Sequence, residues 1–194
     1  MRNPIILLLI LLIISVSCAE KSTEVYPLYK MDVSIKPGEN LFTMDLSLNY
    51  VSDTIEDTVI FLINKNIILD EFYGRHLIEW IPEKYPEDDR LKKLKVIFQP
   101  SLKALEYVRI NSEYSAPLDQ LLLPGASLDS FNLHNENGWF PIENRDRSFF
   151  YAIKLNTDDI YKIKDNGRLT DGRWQIISEK PTKQIKLSFV KNEN

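Results

Sequence analysis

Catalysis needs groups that titrate, coordinate or attack, at spacings that bring them together, and this chain offers few. Its two histidines stand at positions 76 and 134, and neither has a second histidine four residues on. The H-E-x-x-H helix motif, which places two imidazoles on one face around zinc, is absent. A single cysteine, Cys18, excludes an internal disulfide framework and a cysteine-rich zinc site. No serine sits in G-x-S-x-G, and no glycine-rich phosphate loop occurs. Glu87-Asp88-Asp89 is a run of carboxylates, but Arg90, Lys92 and Lys93 follow it and its spacing is not that of a cation loop. It reads as a solvated loop within the polar stretch Glu83–Lys93. His76 lies among apolar residues and reads as a structural histidine. His134 stands among Asn132, Asn135, Glu136 and Asn137, which makes a hydrogen-bonded loop or a weak polar site, the loop being preferred. Trp80, Trp139 and Trp174 are expected in the core rather than on a binding face, since large aromatics are mostly buried. No catalytic, metal-ligating or cofactor-binding residue is assigned, and no cofactor is expected.

The one residue with an assigned chemistry is Cys18. Ile5 to Ile14 is an unbroken aliphatic run preceded by Arg2. Spanning a bilayer takes about 20 apolar residues, so this run reads as a signal-peptide core. Ser15-Val16-Ser17 then places small residues before Cys18. The pattern resembles a bacterial lipoprotein lipobox, in which Cys18 is lipidated and becomes the first residue. Serine three positions before the cysteine departs from the usual leucine. The alternative is an ordinary secretory signal with a chance cysteine. Ala19 rather than aspartate follows Cys18, which points to the outer membrane for a lipoprotein of this type. The expected division is a signal peptide over 1–17, a lipidated tether over 18–23 and one β-sandwich domain over 24–194. The formal net charge is −4, with no basic patch, so nucleic acid is not an expected partner. The expected partners are a membrane, through the lipid on Cys18, and a protein or peptide.

The elements that would position any site are strands. In Tyr29–Val51, Phe42, Met44, Leu46, Leu48 and Tyr50 alternate with Thr43, Asp45, Ser47 and Asn49. Met31, Val33 and Ile35 do the same in the preceding arm. A period of two predicts strands with one buried and one wet face. Lys36-Pro37-Gly38-Glu39-Asn40 is the turn, with Gly38 expected to supply positive φ. Burying the five apolar side chains of the second arm is worth on the order of 10 kcal/mol gross, nearly all opposed by chain entropy. The hairpin therefore needs a sheet partner.

Thr58–Ile63 is a continuous apolar run and predicts a central strand. Strands are also expected at Ile67–Phe72 and His76–Ile81. Leu94–Gln99 and Leu105–Ile110 are expected to form a second hairpin turned at Pro100-Ser101. Pro117–Pro124 predicts one helical turn or a buried loop, and Gly125–Asn137 a loop. Ser148–Leu155 follows, with Phe149, Tyr151, Ile153 and Leu155 on one face. Asn166-Gly167 and Asp171-Gly172 are tight-turn signals. Trp174–Ile177 and Gln184–Val190 are the last strands. Short strands with frequent turns predict an all-β, antiparallel, saddle-like sandwich.

Four pieces of this pattern, in order, resemble the N-terminal β-domain of the aminopeptidase N family of zinc metallopeptidases. They are the hairpin Tyr29–Tyr50; the strand Thr58–Ile63; Trp139-Phe140-Pro141 with Phe149-Phe150 beyond it; and Tyr161–Trp174 with Asn166-Gly167, then Ser178 and Pro181. The resemblance implies the sandwich fold. Its catalytic residues find no counterpart here, and no carboxylate lies between Ser130 and His134, where the family's amine-holding side chain would align.

The expected function is a non-catalytic, lipid-anchored module of the bacterial cell envelope, serving binding or assembly. The alternative is an N-terminal fragment of a zinc aminopeptidase whose catalytic part is separate or lost. A stand-alone hydrolase with an unrecognised site ranks last. Cys18→Ala should release the protein from membranes or block its processing, checked by fractionation and gel mobility. A variant that fractionates and migrates like wild type would sink the lipobox reading.

Overall fold

The alternating arms of 29–51 pair as expected. In a computed structural model that describes residues 25–143, 147–158, 161–164 and 167–192, β1 (Leu28–Lys36) and β2 (Leu41–Val51) form an antiparallel hairpin. Met31 faces Leu46, Val33 faces Met44 and Ile35 faces Phe42, all buried. The turn is one turn of 3₁₀ helix over Pro37–Glu39. Positive φ falls on Asn40, at 51°, rather than on Gly38. Asparagine tolerates this region because its side chain can bond locally. Here the Asn40 amide donates to Asp119 Oδ1 at 2.9 Å and accepts from the Asp119 N–H at 2.9 Å.

The other strands are β3 (Glu56–Asn64), β4 (Ile68–Gly74), β5 (Leu77–Lys84), β6 (Leu91–Leu102), β7 (Tyr107–Pro117), β8 (Ser130–His134), β9 (Phe150–Thr157), β10 (Tyr161–Ile163), β11 (Arg168–Thr170), β12 (Arg173–Ile177) and β13 (Lys186–Lys191). They build a seven-stranded sheet, β11-β12-β9-β1-β2-β7-β4, with β1 at its centre. Two three-stranded sheets, β3-β6-β5 and β10-β13-β8, contribute their apolar faces to the same core. Tyr50 meets Phe61 edge-on at 6.0 Å, and Phe42 meets Trp139 at 6.2 Å. The fold is all-β, as expected. One pair departs from the antiparallel scheme: β9 runs parallel to β1, its first N–H bonded to the Pro27 carbonyl at 2.8 Å.

Several local expectations change. β3 is an edge strand of its sheet, not a central one; Val59, Phe61 and Ile63 point inward, while Ile60 is exposed. Among the described residues its outer edge is met only by an irregular stretch, Leu62 bridging Ile142 and the Asn64 N–H donating to the Gly138 carbonyl at 2.8 Å. The apolar run thus concealed an alternation, because its outward isoleucine has no partner layer. The second hairpin does not exist. β6 continues through Pro100 to Leu102 and pairs with β3 and β5, whereas β7 crosses to the large sheet and pairs with β2 and β4. The polar second half of β7, Asn111–Pro117, was not legible as strand, since its inward positions include Ser112 and Ala116. The Gly125–Asn137 loop contains β8, paired with β13. The helical turn within 117–124 is a 3₁₀ turn, Leu118–Leu121, with both leucines buried. Asp171 and Gly172 take positive φ, 51° and 74°, and join β11 to β12. The Asn166-Gly167 turn lies partly outside the described residues, and Cys18 wholly so.

Leu46 is buried on the inner face, and Ser47 points to the outer one. Leu46→Ala should cost about 2–5 kcal/mol through the cavity it leaves. Ser47→Ala should cost less than about 1 kcal/mol. Denaturant melts of both variants check the register, because a one-residue slip would reverse their order.

Candidate functional site

The candidates singled out from the sequence do not converge. His76 takes positive φ, 64°, in the turn between β4 and β5, with Nε2 3.8 Å from Glu106 Oε1. His134 ends β8, opposite Lys186. Among the described residues no three His, Cys, Asp or Glu side chains gather where they could hold a metal ion. The Asn135–Asn137 stretch is a hydrogen-bonded loop. Asn137 Nδ2 donates to the Leu121 carbonyl at 2.6 Å, Asn135 Nδ2 to the Lys183 carbonyl at 3.1 Å, and Asn64 Nδ2 to the Asn137 carbonyl at 2.9 Å. Gly138 follows at φ 66°, where a Cβ would lie 2.5 Å from Leu91 Cδ2 and 2.6 Å from the Asn64 nitrogen. Only glycine fits there. Of the tryptophans, Trp139 is wholly buried, while Trp80 and Trp174 pack against the core partly exposed. Asp88 is taken up by Arg90, whose Nη2 lies 2.8 Å from Asp88 Oδ2.

A cluster of titratable groups that the sequence did not single out meets at the corner between β2 and β3. Tyr50 is the last inward aromatic of β2, and a buried phenol needs a partner for its hydroxyl. Its oxygen lies 2.8 Å from Glu56 Oε1, at the start of β3, and 2.9 Å from Glu143 Oε1. Ser52 Oγ is hydrogen-bonded to the Thr54 carbonyl and to the same Glu56 oxygen. Arg147 closes the group. Its Nη1 donates to Glu143 Oε2 at 2.7 Å, and its Nη2 donates to the Val51 carbonyl at 2.7 Å and to Asp53 Oδ1 at 3.0 Å. The guanidinium also lies 5.6 Å from the Tyr50 ring centre.

Counting hydrogens shows what this cluster can do. The phenol has one hydrogen and two carboxyl oxygens in reach, so satisfying both contacts takes a proton on a carboxyl. Burial raises the Glu143 carboxyl above the usual range, against the lowering effect of Arg147. Burial, followed by the nearby Glu143 and Glu56, also raises the Tyr50 phenol. The neighbouring cavity, lined in part by Tyr29, Glu143, Arg147 and Phe149, is only about 10 Å³, room for about one water. The cluster can hold a proton and ties Glu143 and Arg147 to the β2–β3 corner. It has neither an activated nucleophile nor space for a substrate.

The class of fold is now clear: a seven-stranded mixed sheet with two small sheets on one core, the architecture of M1 metallopeptidase N-terminal domains. An M1 zinc metallopeptidase from Deinococcus radiodurans superposes with a TM-score of 0.63 at 11% identity, over 84% of this chain and 41% of that one. A two-domain M1 zinc metallopeptidase carrying an E323A mutation and bound to L-tryptophan gives 0.61 at 10% identity, over 86% of this chain and 43% of that one. Yeast LTA4 hydrolase gives 0.57 at 10% identity, over 91% and 32%. Likeness at this identity establishes the fold, and the chain spans less than half of each of these proteins. No protein-family model matches the chain, and no curated protein does. The zinc of the similar metallopeptidases finds no fitting ligand set among the residues described here.

A carboxyl whose folded pKa is raised contributes stability that is complete below the unfolded value, about 4.3, and is lost as pH rises through the folded value. Wild type should therefore lose stability across the range just above ordinary glutamate titration. Glu143→Gln, which mimics the neutral form, should flatten that slope. Urea melts from acidic to neutral pH check this; an unchanged slope would show that the proton is not held at Glu143.

Proposed function

We propose that this chain is a non-catalytic β-module of the bacterial cell envelope, held at a membrane by lipid on Cys18 and serving binding or assembly. What supports the non-catalytic part is the scatter of the titratable side chains: among the described residues no three His, Cys, Asp or Glu gather where they could hold a metal ion, and His76 and His134 lie on separate elements. The anchor rests on the aliphatic run ending at Cys18, and the outer-membrane address on Ala19. The fold likeness, over 84% of this chain and 41% of the Deinococcus protein, supports a second reading, in which the chain is an N-terminal-domain fragment of a zinc aminopeptidase whose catalytic part is separate or lost.

Metal analysis and assay on aminoacyl-arylamides separate the two. The purified chain should bind zinc far below stoichiometry and release no arylamine. Stoichiometric zinc with turnover that a chelator abolishes would overturn the proposal. Turnover gained only on mixing with the product of an adjacent reading frame carrying H-E-x-x-H would establish the second reading.

A further inference from the structure

The inner face of the seven-stranded sheet belongs to the core, but its outer face is covered by nothing among the described residues. Strand register aligns the outward side chains into rows. In one row, Lys154 of β9 faces Asp32 of β1, Asp32 faces Asp45 of β2, Asp45 faces Glu113 of β7, and Glu113 faces Glu71 of β4. Like charges directly opposite one another on neighbouring strands are destabilising. Asp32 has a cation, Arg173 Nη1 at 3.4 Å. Asp45, Glu113 and Glu71 have no ion-pair or hydrogen-bond partner among the described residues.

An apolar groove adjoins this row. The carboxylates Asp32, Asp45 and Glu113, with Lys30 and Lys154 on the β1–β9 side, line a depression of about 440 Å³. It runs through Lys30, Ala152 and Ile177 into a second one of about 490 Å³, walled by Tyr26, Leu28, Tyr107 and Phe150. Tyr107 is 61% exposed and Ile177 65%, while Tyr26 packs edge-on against Phe150 at 6.0 Å. One face thus holds three carboxylates without ion-pair partners among the described residues, Asp45, Glu113 and Glu71, on its β2–β7–β4 side, cations beside Asp32, and uncovered aromatic surface beyond Lys30. The unpaired carboxylates and the aromatic surface each cost free energy in the isolated chain.

We propose that this face docks an extended segment of a partner protein that is basic at one end and apolar at the other. The charge complementarity sets the chemistry. Neighbouring strands lie about 4.8 Å apart, so the carboxylate row from Asp32 to Glu71 spans about 14 Å. An extended segment crossing it presents alternate side chains, and two or three lysines or arginines two residues apart match the row. Leu28, at the apolar end, lies four residues from Asp32 along β1, or about 13 Å away. The row runs across the strands and the groove lies along them, so the segment turns beyond its basic residues, and aromatic or aliphatic side chains there reach the Tyr107–Phe150 groove. An anionic membrane does not fit, because the carboxylates would repel it. This surface is distinct from the anchor at Cys18 and holds in either reading of the chain's function.

The probe is a short fluorescent peptide with lysines at alternate positions, then two phenylalanines, titrated against the full chain in detergent and followed by anisotropy. Saturable binding that falls at least tenfold in Asp45→Asn/Glu113→Gln, but not in the remote control Glu87→Gln, supports the proposal. So does a fall when glutamates replace the lysines of the peptide. The double variant should also melt no lower than wild type, since like-charge repulsion is relieved. Absence of binding, equal binding by the double variant, or equal loss in the Glu87 control would overturn it. Stronger binding to anionic vesicles than to the peptide would also overturn it, in favour of a membrane surface. A double variant that melts markedly lower would show that the carboxylates serve the fold instead.

Discussion

Met31, Val33 and Ile35 face Leu46, Met44 and Phe42 at the centre of the seven-stranded sheet, and every other layer is placed by that contact. Because the side-chain period of a strand is two, burying this row leaves Asp32, Ser34, Asp45 and Ser47 on the opposite face. β9 and β7 then add to the two open edges of the hairpin. Their inward residues, Ile153, Leu155, Ile110 and Tyr114, extend the apolar floor. The two small sheets cover that floor. A hairpin alone could not bury enough surface to offset its ordering entropy.

Between β8 and β9 the described residues pair only through isolated bridges, Leu62 to Ile142 and Phe149 to Thr182, and polar side chains add to their hold. Asn64 and Asn137 bind the carbonyls of the loops around them, and the Tyr114 hydroxyl donates to the Trp139 carbonyl at 3.0 Å. Gly138 lets the backbone pass against β3, which brings Trp139 and Phe140 into the core. Beyond them, Glu143 and Arg147 close on Tyr50. Irregular backbone can lie inside a core only where its polar groups are satisfied in this way. The result is a hydrogen-bonded cluster of Tyr50, Glu56, Glu143 and Arg147, set at the corner where the large sheet meets β3.

A fold does not determine an activity, and here the division follows the two faces of one sheet. The inner face meets the packing demands shared with M1 metallopeptidase N-terminal domains at about 10% identity. That is the expected outcome when apolar pattern and volume, rather than particular residues, specify a core. The outer face has no such demand, yet it carries an unfavourable row of carboxylates beside an exposed aromatic groove.

The residues of this chain determine its strands wherever alternation is long. β1, β2 and the tyrosine-to-leucine face of β9 were readable because their inward residues are apolar at every second position, with mostly polar residues between them in β1 and β2. The Asp171-Gly172 turn was readable because glycine there relieves a backbone constraint that is local. Partnership was not readable. β6 and β7 look like a hairpin in sequence, but nothing local records that one pairs with β3 and the other with β2. β3 looked central because an outward isoleucine, Ile60, is indistinguishable in one dimension from a buried one. Ser112 and Ala116 gave no apolar signal although both are buried. The carboxylate row exists only across strands, assembled from residues 32, 45, 71 and 113 by register. The Tyr50–Glu143–Arg147 cluster likewise joins segments more than 90 residues apart. Period and turn chemistry are properties of neighbours along the chain and survive in sequence. Pairing, proton sharing and charge rows are properties of neighbours in space, and the tertiary structure alone decided them.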